Sequence, residues 1–255
     1  MPLTEAAVHW ELLLEPEGRS GAENMAVDAA LLADAAHTGR AFLRLYRFAP
    51  PCLSLGRNEP AARYDRTAIA RLGLDVVRRP TGGRAVWHEH EVTYAVAAPT
   101  PAVGGLREGY RAIHVRLAIA LRALGADAAL APDRPTARAS DRPGPCFAAP
   151  VGGEVLVAGR KVIGSAQVRE GRAFLQHGSI LLDGSQDLVS IVSTARGTGS
   201  GETTLAAVLG RRVSFEEIAD AIIAAWGDDI TFTALPHRPP PSTACFSDPA
   251  WTWRR

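Results

Sequence analysis

One cysteine and one lysine are the residues of this sequence best suited to covalent chemistry. Cys146 lies in an irregular segment rich in Pro, Gly and Ala, and Lys161 follows fifteen residues later. A free thiol with a pKa of about 8.5 is only slightly ionised at neutral pH, and a neighbouring ammonium group stabilises the thiolate. The pair predicts a thiolate nucleophile if the fold brings the two side chains together. The alternative is a cysteine that serves as a small buried hydrophobe.

Lys161 is the only lysine among the 28 Lys and Arg residues of the chain. The Ala-, Gly- and Arg-rich composition indicates a coding bias that turns expendable lysines into arginines. An ammonium group loses its proton when it is desolvated, whereas a guanidinium group effectively does not. This difference favours a functional Lys161, and a surface lysine left by chance is the alternative.

Two glycine-containing segments have the composition of ligand-binding loops. Gly82 and Gly83 interrupt the run RRPTGGRAVWH that begins at Arg78. Paired glycines adopt φ > 0 and allow a ligand to approach the backbone, and the nearby arginines can hold an anion. A glycine hairpin with solvated arginines is an equal alternative. The small residues of the second segment, GSA at 164–166, also leave room for a ligand beside a strand.

Three other residues have weaker signals. His177, in the run QHGS, is interpreted as a structural or contact residue rather than a base. Cys52 and Cys245 are interpreted as structural or incidental. Three scattered cysteines are too few for a disulfide framework or a zinc site.

Composition narrows the class of protein. The chain has 255 residues, 47% of them hydrophobic, and a net charge of +1, which is ordinary for a globular protein and names no acidic partner. No stretch approaches the roughly 18 apolar residues that span a bilayer, and no secretory signal is recognisable. These features predict a cytoplasmic location.

Hydrophobic periodicity predicts a mixture of helices and strands. The predicted helices lie at 21–36, 65–72, 106–124 and 215–226, the last with a capping box from Ser214 to Glu217. The helix at 106–124 places Arg107, Arg111 and Arg122 in one sector. The predicted strands lie at 8–14, 41–47, 51–55, 74–79, 92–98, 154–158, 161–168, 172–175 and 178–182. The absence of regular βαβ alternation indicates an α+β fold, with 1–255 as a single domain.

Five segments, taken in order, resemble the biotin/lipoate ligase-like superfamily. They are NMAVD from Asn24, LSLGR from Leu53, RRPTGGRAVWHEHEVTYAV from Arg78, GRKVIGSAQ from Gly159 and LQHGSILL from Leu175. The resemblance covers about residues 20–185 and implies mixed sheets flanked by helices, followed by a helical part over about 186–255. The GRGRxGR run of biotin ligases is absent, which disfavours biotin as the substrate.

Within this superfamily the chain resembles the octanoyltransferase branch near lipoate–protein ligase A. The run PCF at 145–147 stands at the position of that branch's nucleophile, and Arg84 replaces a third glycine that is common in the ligases. The resemblance implies transfer of octanoate from octanoyl-acyl carrier protein, through a cysteine thioester, to the lysine of lipoyl domains. Such acceptors include glycine-cleavage H protein and 2-oxoacid dehydrogenase E2. Neither nucleic acid nor membrane is an expected partner.

The resemblance also assigns roles to residues. Cys146 and Lys161 are the predicted catalytic residues. The predicted substrate-binding residues are Arg79, Gly82, Gly83, Arg84, Ala85, Val86, His88, Gly164, Ser165, Ala166, His177 and Gly178. No cofactor is expected, since ATP and Mg are needed only by a ligase that forms lipoyl-AMP. That ligase is the main alternative, followed by an octanoyl amidotransferase between lipoyl domains and a non-catalytic lipoyl-domain binder.

Overall fold

The computed structural model describes residues 10–132, 152–194, 201–227, 232–234 and 241–254. Its helices are α1 (Gly21–Thr38), α2 (Arg66–Arg71), α3 (Leu106–Ala123), α4 (Asp187–Ile191), α5 (Leu205–Leu209), α6 (Phe215–Ala225), α7 (Ala244–Ser247) and α8 (Pro249–Thr252). Its strands are β1 (Trp10–Arg19), β2 (Ala41–Phe48), β3 (Cys52–Leu55), β4 (Asp75–Arg78), β5 (Val86–His88), β6 (Glu91–Pro99), β7 (Ala128–Leu130), β8 (Val155–Val157), β9 (Arg160–Lys161), β10 (Ile163–Glu170), β11 (Ala173–Leu181) and β12 (Phe232–Ala234).

A six-stranded mixed sheet with helices on both faces forms the centre of the fold. Its strand order is β10-β11-β6-β2-β1-β12. Successive side chains of a strand point to opposite faces, so Phe42 and Tyr46 pack towards α1, whereas Leu43 and Leu45 pack towards α3 and α6. Both faces of the central strands are therefore buried. The predicted α+β class is confirmed.

The four predicted helices are confirmed as α1, α2, α3 and α6. Ser214 caps α6 by accepting a hydrogen bond from the Glu217 amide at 3.2 Å. The Glu217 carboxylate also pairs with the exposed Arg211. A complete capping box, from Ser20 to Glu23, begins α1. No helix of the described ranges is both long and apolar enough to cross a membrane.

Two predicted strand boundaries are wrong for the same reason. The predicted strands at 172–175 and 178–182 are one continuous strand, β11, and β1 runs five residues beyond its predicted end at 14. Polar residues at 15–19 and 176–177 interrupt the apolar pattern. The buried ones stay inside the strands because they find partners, such as Glu15 with Arg19, and Gln176 with the Tyr94 hydroxyl at 2.8 Å.

The segment around the paired glycines is not a hairpin, which corrects one interpretation made from the sequence. β4 and β5 do not pair with each other, because β3 lies between them in a three-stranded sheet of order β4-β3-β5. The chain must cross the end of β3, just beyond which Gly56 meets Gly83. A Cβ atom at Gly56 would stand 2.0 Å from the Gly83 carbonyl oxygen. Only glycine therefore permits this crossing.

A buried cluster of charges joins α1 to the central sheet. Arg44, on β2, is fully buried and donates to Glu15 at 2.7 Å, to Asp28 at 2.8 Å and to the Asn24 side chain at 2.7 Å. Burial raises the pKa of Asp28, but the hydrogen bond from His177 and the charge of Arg44 outweigh it and hold this pKa below its ordinary value. The carboxylates therefore remain ionised and depend on Arg44 for compensation.

Replacement of Arg44 by leucine is expected to lower the free energy of unfolding by about 3–5 kcal/mol, because Glu15 and Asp28 would lose their shared cation while still buried. Urea denaturation followed by circular dichroism measures this change. Arg211→Leu is the matched control, since it removes a guanidinium group from an exposed pair with Glu217, and its effect is expected to be far smaller. Equal effects of the two substitutions would contradict the proposed importance of the cluster.

Candidate active site

A pocket lies on the α1 side of the central sheet. Its walls come from α1, from the ends of β2 and β6, from β5 and its preceding loop, and from facing positions of β10 and β11. The surface that the lining exposes to the pocket is mainly apolar, as is usual for a small-molecule site. The lining residues are Met25, Tyr46, Phe48, Arg79, Val86, His88, Thr93, Gly164, Ser165, Ala166, His177, Gly178 and Ser179.

Most of the predicted substrate-binding residues meet at this pocket. Those that line it are Arg79, Val86, His88, Gly164, Ser165, Ala166, His177 and Gly178. Those that do not line it, Gly82, Gly83, Arg84 and Ala85, belong to the loop that leads into β5. Gly83 has a φ of +86°, so the predicted need for a left-handed backbone in the paired glycines holds at this position.

Arg78 and Arg79 are buried. The alternative interpretation, a glycine hairpin with solvated arginines, is therefore wrong for these two arginines as well as for the hairpin. Arg79 donates to the Ser54 carbonyl at 2.9 Å and, through its other terminal nitrogen, to the carbonyls of Gly82 and Arg84, both at 2.9 Å. A guanidinium group with donors in a fixed fork is well suited to this task. Arg79 therefore fixes the shape of the glycine loop beside the pocket.

His177 connects the pocket to the buried charges beneath α1. Its Nδ1 lies 2.8 Å from Asp28 Oδ2, and its Nε2 lies 2.6 Å from Thr81 Oγ1. Burial lowers the pKa of His177 in spite of the Asp28 carboxylate, so the ring is neutral at physiological pH. Because the carboxylate only accepts, Nδ1 carries the proton and Nε2 accepts from the Thr81 hydroxyl. This geometry agrees with a structural or contact role.

His88 lies at another wall of the pocket and is held in a similar way. Its Nε2 is 2.7 Å from the Ser54 hydroxyl, and its Nδ1 is 3.0 Å from a Glu91 carboxylate oxygen. Its ring stacks on Phe48 with centroids 4.1 Å apart. Both ring nitrogens are thus occupied within the protein, so His88 presents mainly the surface of its ring to the pocket.

Of the two predicted catalytic residues, the structure describes Lys161 but not Cys146. Lys161 is buried, and its ammonium nitrogen lies 2.6 Å from a Glu154 carboxylate oxygen. It is not among the residues that line the pocket. Cys146 lies outside the described residues, so its predicted proximity to Lys161 stays a prediction. Burial, together with Asp75, raises the pKa of Cys52 well above its ordinary value, and Cys245 is exposed.

A polar network, not identified from the sequence, lies behind the pocket on the α3 face of the sheet. His114 Nε2 is 2.8 Å from the Ser165 hydroxyl, and its Nδ1 is 2.7 Å from the Gly153 carbonyl oxygen. The Tyr94 hydroxyl lies 2.6 Å from that of Ser165. Burial lowers the pKa of His114 to about 4, and the positive charge of Lys161 acts in the same direction. The network therefore extends from a pocket strand towards Lys161.

Several other residues that line the pocket were not predicted from the sequence. Met25 and Tyr46 belong to segments whose helix and strand were predicted, and Thr93 and Ser179 lie within recognised motifs. Their periodicity shows that they share a buried face but does not show that this face meets a ligand. The three predicted arginines of α3, at 107, 111 and 122, lie on its exposed side, and their role in binding a partner stays a prediction.

Residues 20–227 match the family described as the lipoyl protein ligase A/B catalytic domain. The chain belongs to this family. It is 36% identical over 244 residues to octanoyltransferase LipM of Symbiobacterium thermophilum, an alignment that covers 89% of each protein. It is 46% identical over 168 residues to octanoyltransferase LipM of Carboxydothermus hydrogenoformans, where the alignment covers 64% of this chain and 61% of that protein.

The fold is also similar to that of a solved ligase. The structure of lipoate–protein ligase A bound with ATP superposes with a TM-score of 0.73 at 21% sequence identity, over 90% of each chain. This likeness concerns the fold alone. Among the residues that the structure describes, no cluster of three or more His, Cys, Asp or Glu side chains is arranged to hold a metal ion.

The low pKa of His114 predicts a loss of stability on acidification. In the unfolded chain a histidine binds its proton near pH 6.5, whereas in the folded protein His114 stays neutral until about pH 4. The unfolded state therefore binds more protons over this interval, and the free energy of unfolding should fall by about 3 kcal/mol as the pH decreases from about 6.5 to about 4.

Urea denaturation of the wild type and His114→Gln across this pH range measures that contribution. The variant is expected to be less stable near neutral pH, where it lacks the hydrogen bonds of His114, and to lose less stability on acidification. His37→Gln, at an exposed position near the end of α1, controls for the substitution itself. Parallel pH profiles for the wild type and His114→Gln would contradict a buried neutral His114.

Proposed function

We propose that this protein is an octanoyltransferase that moves an octanoyl group from acyl carrier protein, through a thioester on Cys146, to a lysine of a lipoyl domain. The protein is an acyltransferase. The observation that carries the proposal is its similarity to octanoyltransferases along most of its length, combined with a mainly apolar pocket built from the family's motifs. An apolar pocket is what an eight-carbon saturated chain requires.

The proposed reaction has two steps. The Cys146 thiolate attacks the carbonyl carbon of the octanoyl thioester, and the carrier's sulfur leaves as a thiolate that takes a proton from the Lys161 ammonium group. The acceptor lysine then attacks the new thioester, forming an amide and releasing Cys146. The first step exchanges one thioester for another, and the second forms a more stable amide. The reaction therefore needs neither ATP nor a metal cofactor.

Residues of the described site would divide this work. The pocket would hold the acyl chain, with Val86 and the small residues of β10 along its walls. Backbone amides near Gly83 or Gly164 would stabilise the tetrahedral oxyanion. The Lys161 ammonium group would stabilise the Cys146 thiolate and, once it has given its proton to the leaving carrier thiolate, would accept a proton from the incoming amine. Its salt bridge with Glu154 supports this role by holding the ammonium group in a defined, buried position.

The partners and location follow from the proposed reaction. The donor is octanoyl-acyl carrier protein, and the acceptors are lipoyl domains such as those of glycine-cleavage H protein or 2-oxoacid dehydrogenase E2. These reactants place the protein in the cytoplasm at the first step of endogenous lipoate synthesis. The exposed arginines of α3 are candidates for contact with an acidic carrier protein, although a solvated face is the simpler interpretation.

Incubation with octanoyl-acyl carrier protein is expected to add the mass of one octanoyl group to the enzyme, in a hydroxylamine-labile bond at Cys146. Cys146→Ser or Cys146→Ala should abolish both the thioester and the transfer. Intact-protein mass spectrometry and peptide mapping measure the adduct. Cys245→Ser is the matched control, because it removes an exposed thiol and should leave the adduct unchanged.

Three outcomes would select other functions. Lipoate-dependent AMP formation that survives Cys146→Ala would indicate the ATP-dependent ligase. An adduct formed from octanoyl H protein but not from octanoyl-acyl carrier protein would indicate the amidotransferase. Measurable binding of a lipoyl domain without turnover from either donor would indicate a non-catalytic binder.

Substitution of Lys161 tests its proposed role in proton transfer. Lys161→Arg keeps a positive charge near Glu154 but removes a group able to release its proton, so the rate of transfer to the lipoyl domain is expected to fall about 10²–10⁴-fold. Arg160→Lys, at the exposed neighbouring position, should retain activity. A wild-type rate and pH profile in Lys161→Arg would show that proton transfer does not pass through this residue.

A further inference from the structure

Nearly every polar side chain around the pocket already has a hydrogen-bond partner inside the protein. Arg79 donates to the glycine loop, His88 and His177 are bonded through both ring nitrogens, and Ser165 is bonded to Tyr94 and His114. Two further lining side chains donate to buried carboxylates: Tyr46 donates to Asp28, and Thr93 donates to Glu91. These groups hold the pocket in shape and leave few donors for a ligand.

Ser179 is the exception among the described polar side chains that line the pocket. Its hydroxyl is buried, with 1% of the residue exposed, and has no hydrogen-bond partner in the described structure. Ser179 pairs across the sheet with Gly164 on one side and with Thr93 on the other, and both line the pocket as well. Gly164 has no side chain, so its position offers the Ser179 hydroxyl no side-chain partner.

The position of Ser179 on its strand directs the hydroxyl to the ligand side of the sheet. Alternate residues of β11 point to the same face, and His177, two residues earlier, reaches Asp28 beneath α1. Ser165, by contrast, faces α3, where its hydroxyl meets His114. The Ser165 hydroxyl is therefore bonded within the protein, whereas the Ser179 hydroxyl on the neighbouring strand has no partner in the described structure.

We propose that the Ser179 hydroxyl donates a hydrogen bond to the carbonyl oxygen of the acyl group held in the pocket. This inference rests on the proposed function and names a binding residue for its substrate. A saturated octanoyl chain has no polar atom along its length, so the acyl carbonyl is its one strong acceptor. A buried donor without a partner is rare and gains most from an acceptor supplied by a ligand. Ser179 thereby fixes how deeply the chain enters the pocket.

A ligand pair that differs only at the carbonyl tests this contact directly. S-octanoyl-pantetheine is compared with S-octyl-pantetheine, in which a methylene replaces the carbonyl group. Binding is measured by calorimetry to the full-length Cys146→Ala protein, which cannot be acylated at that position. This protein is expected to bind the thioester about tenfold more tightly than the thioether, the worth of one neutral hydrogen bond. Adding Ser179→Ala should reduce the ratio to about one.

Thermal unfolding separates a ligand contact from a structural role. Loss of an unpartnered buried hydroxyl should leave the Tm of Ser179→Ala unchanged or slightly raised, whereas loss of a hydroxyl with a partner lowers it. Ser185→Ala, at an exposed serine bonded to Asp187, is the control and should keep the preference for the thioester.

Two results would overturn the inference. If Ser179→Ala keeps the full preference for the thioester while the wild type still forms the octanoyl adduct, the carbonyl contact alone is wrong. If the wild type forms no adduct and neither pantetheine ligand binds, the proposed function fails together with it.

Discussion

The Asp28 carboxylate is the constraint on which the arrangement of the pocket depends. It is buried between α1 and the sheet, where an unpaired charge is very unfavourable. It therefore requires the Arg44 guanidinium, the Tyr46 hydroxyl and the His177 ring within hydrogen-bonding distance. Two of these partners also line the pocket. The same interactions that compensate the buried charge thus orient the ligand-facing side chains of β2 and β11.

Because of this dependence, the polar groups and the apolar surface of the site lie in different places. Charged and polar groups lie behind the walls, where they hold one another, and the walls themselves are largely apolar. A preorganised pocket of this kind loses little conformational freedom when a flexible chain enters. The division also separates the two faces of the central sheet. The α1 face holds the pocket, and the α3 face holds the His114 network near Lys161.

Local patterns predicted much of this structure, and non-local contacts account for what they missed. Helices α1, α3 and α6 followed from periodicity, and most of the predicted substrate-binding residues meet at one pocket. Strand order was not accessible, because β3 lies between β4 and β5 and periodicity cannot show such an insertion. The polar residues inside β11 suggested a break in the strand. Their partners lie on elements distant in sequence, so the sequence pattern could not show that these residues are satisfied inside the sheet. Ser165 and His114 are 51 residues apart, and no spacing rule joins them.

The crowding between Gly56 and the carbonyl of Gly83 has a consequence for how genetic variation in this protein is interpreted. A methyl group at Gly56 would displace the loop next to the pocket, although Gly56 is not among the residues that line it. A survey that scores variants by activity alone would therefore rank this position with the residues that touch the substrate. The loss of activity would come from a displaced loop, because the new methyl group would collide with the Gly83 carbonyl oxygen, and not from a lost contact with the substrate.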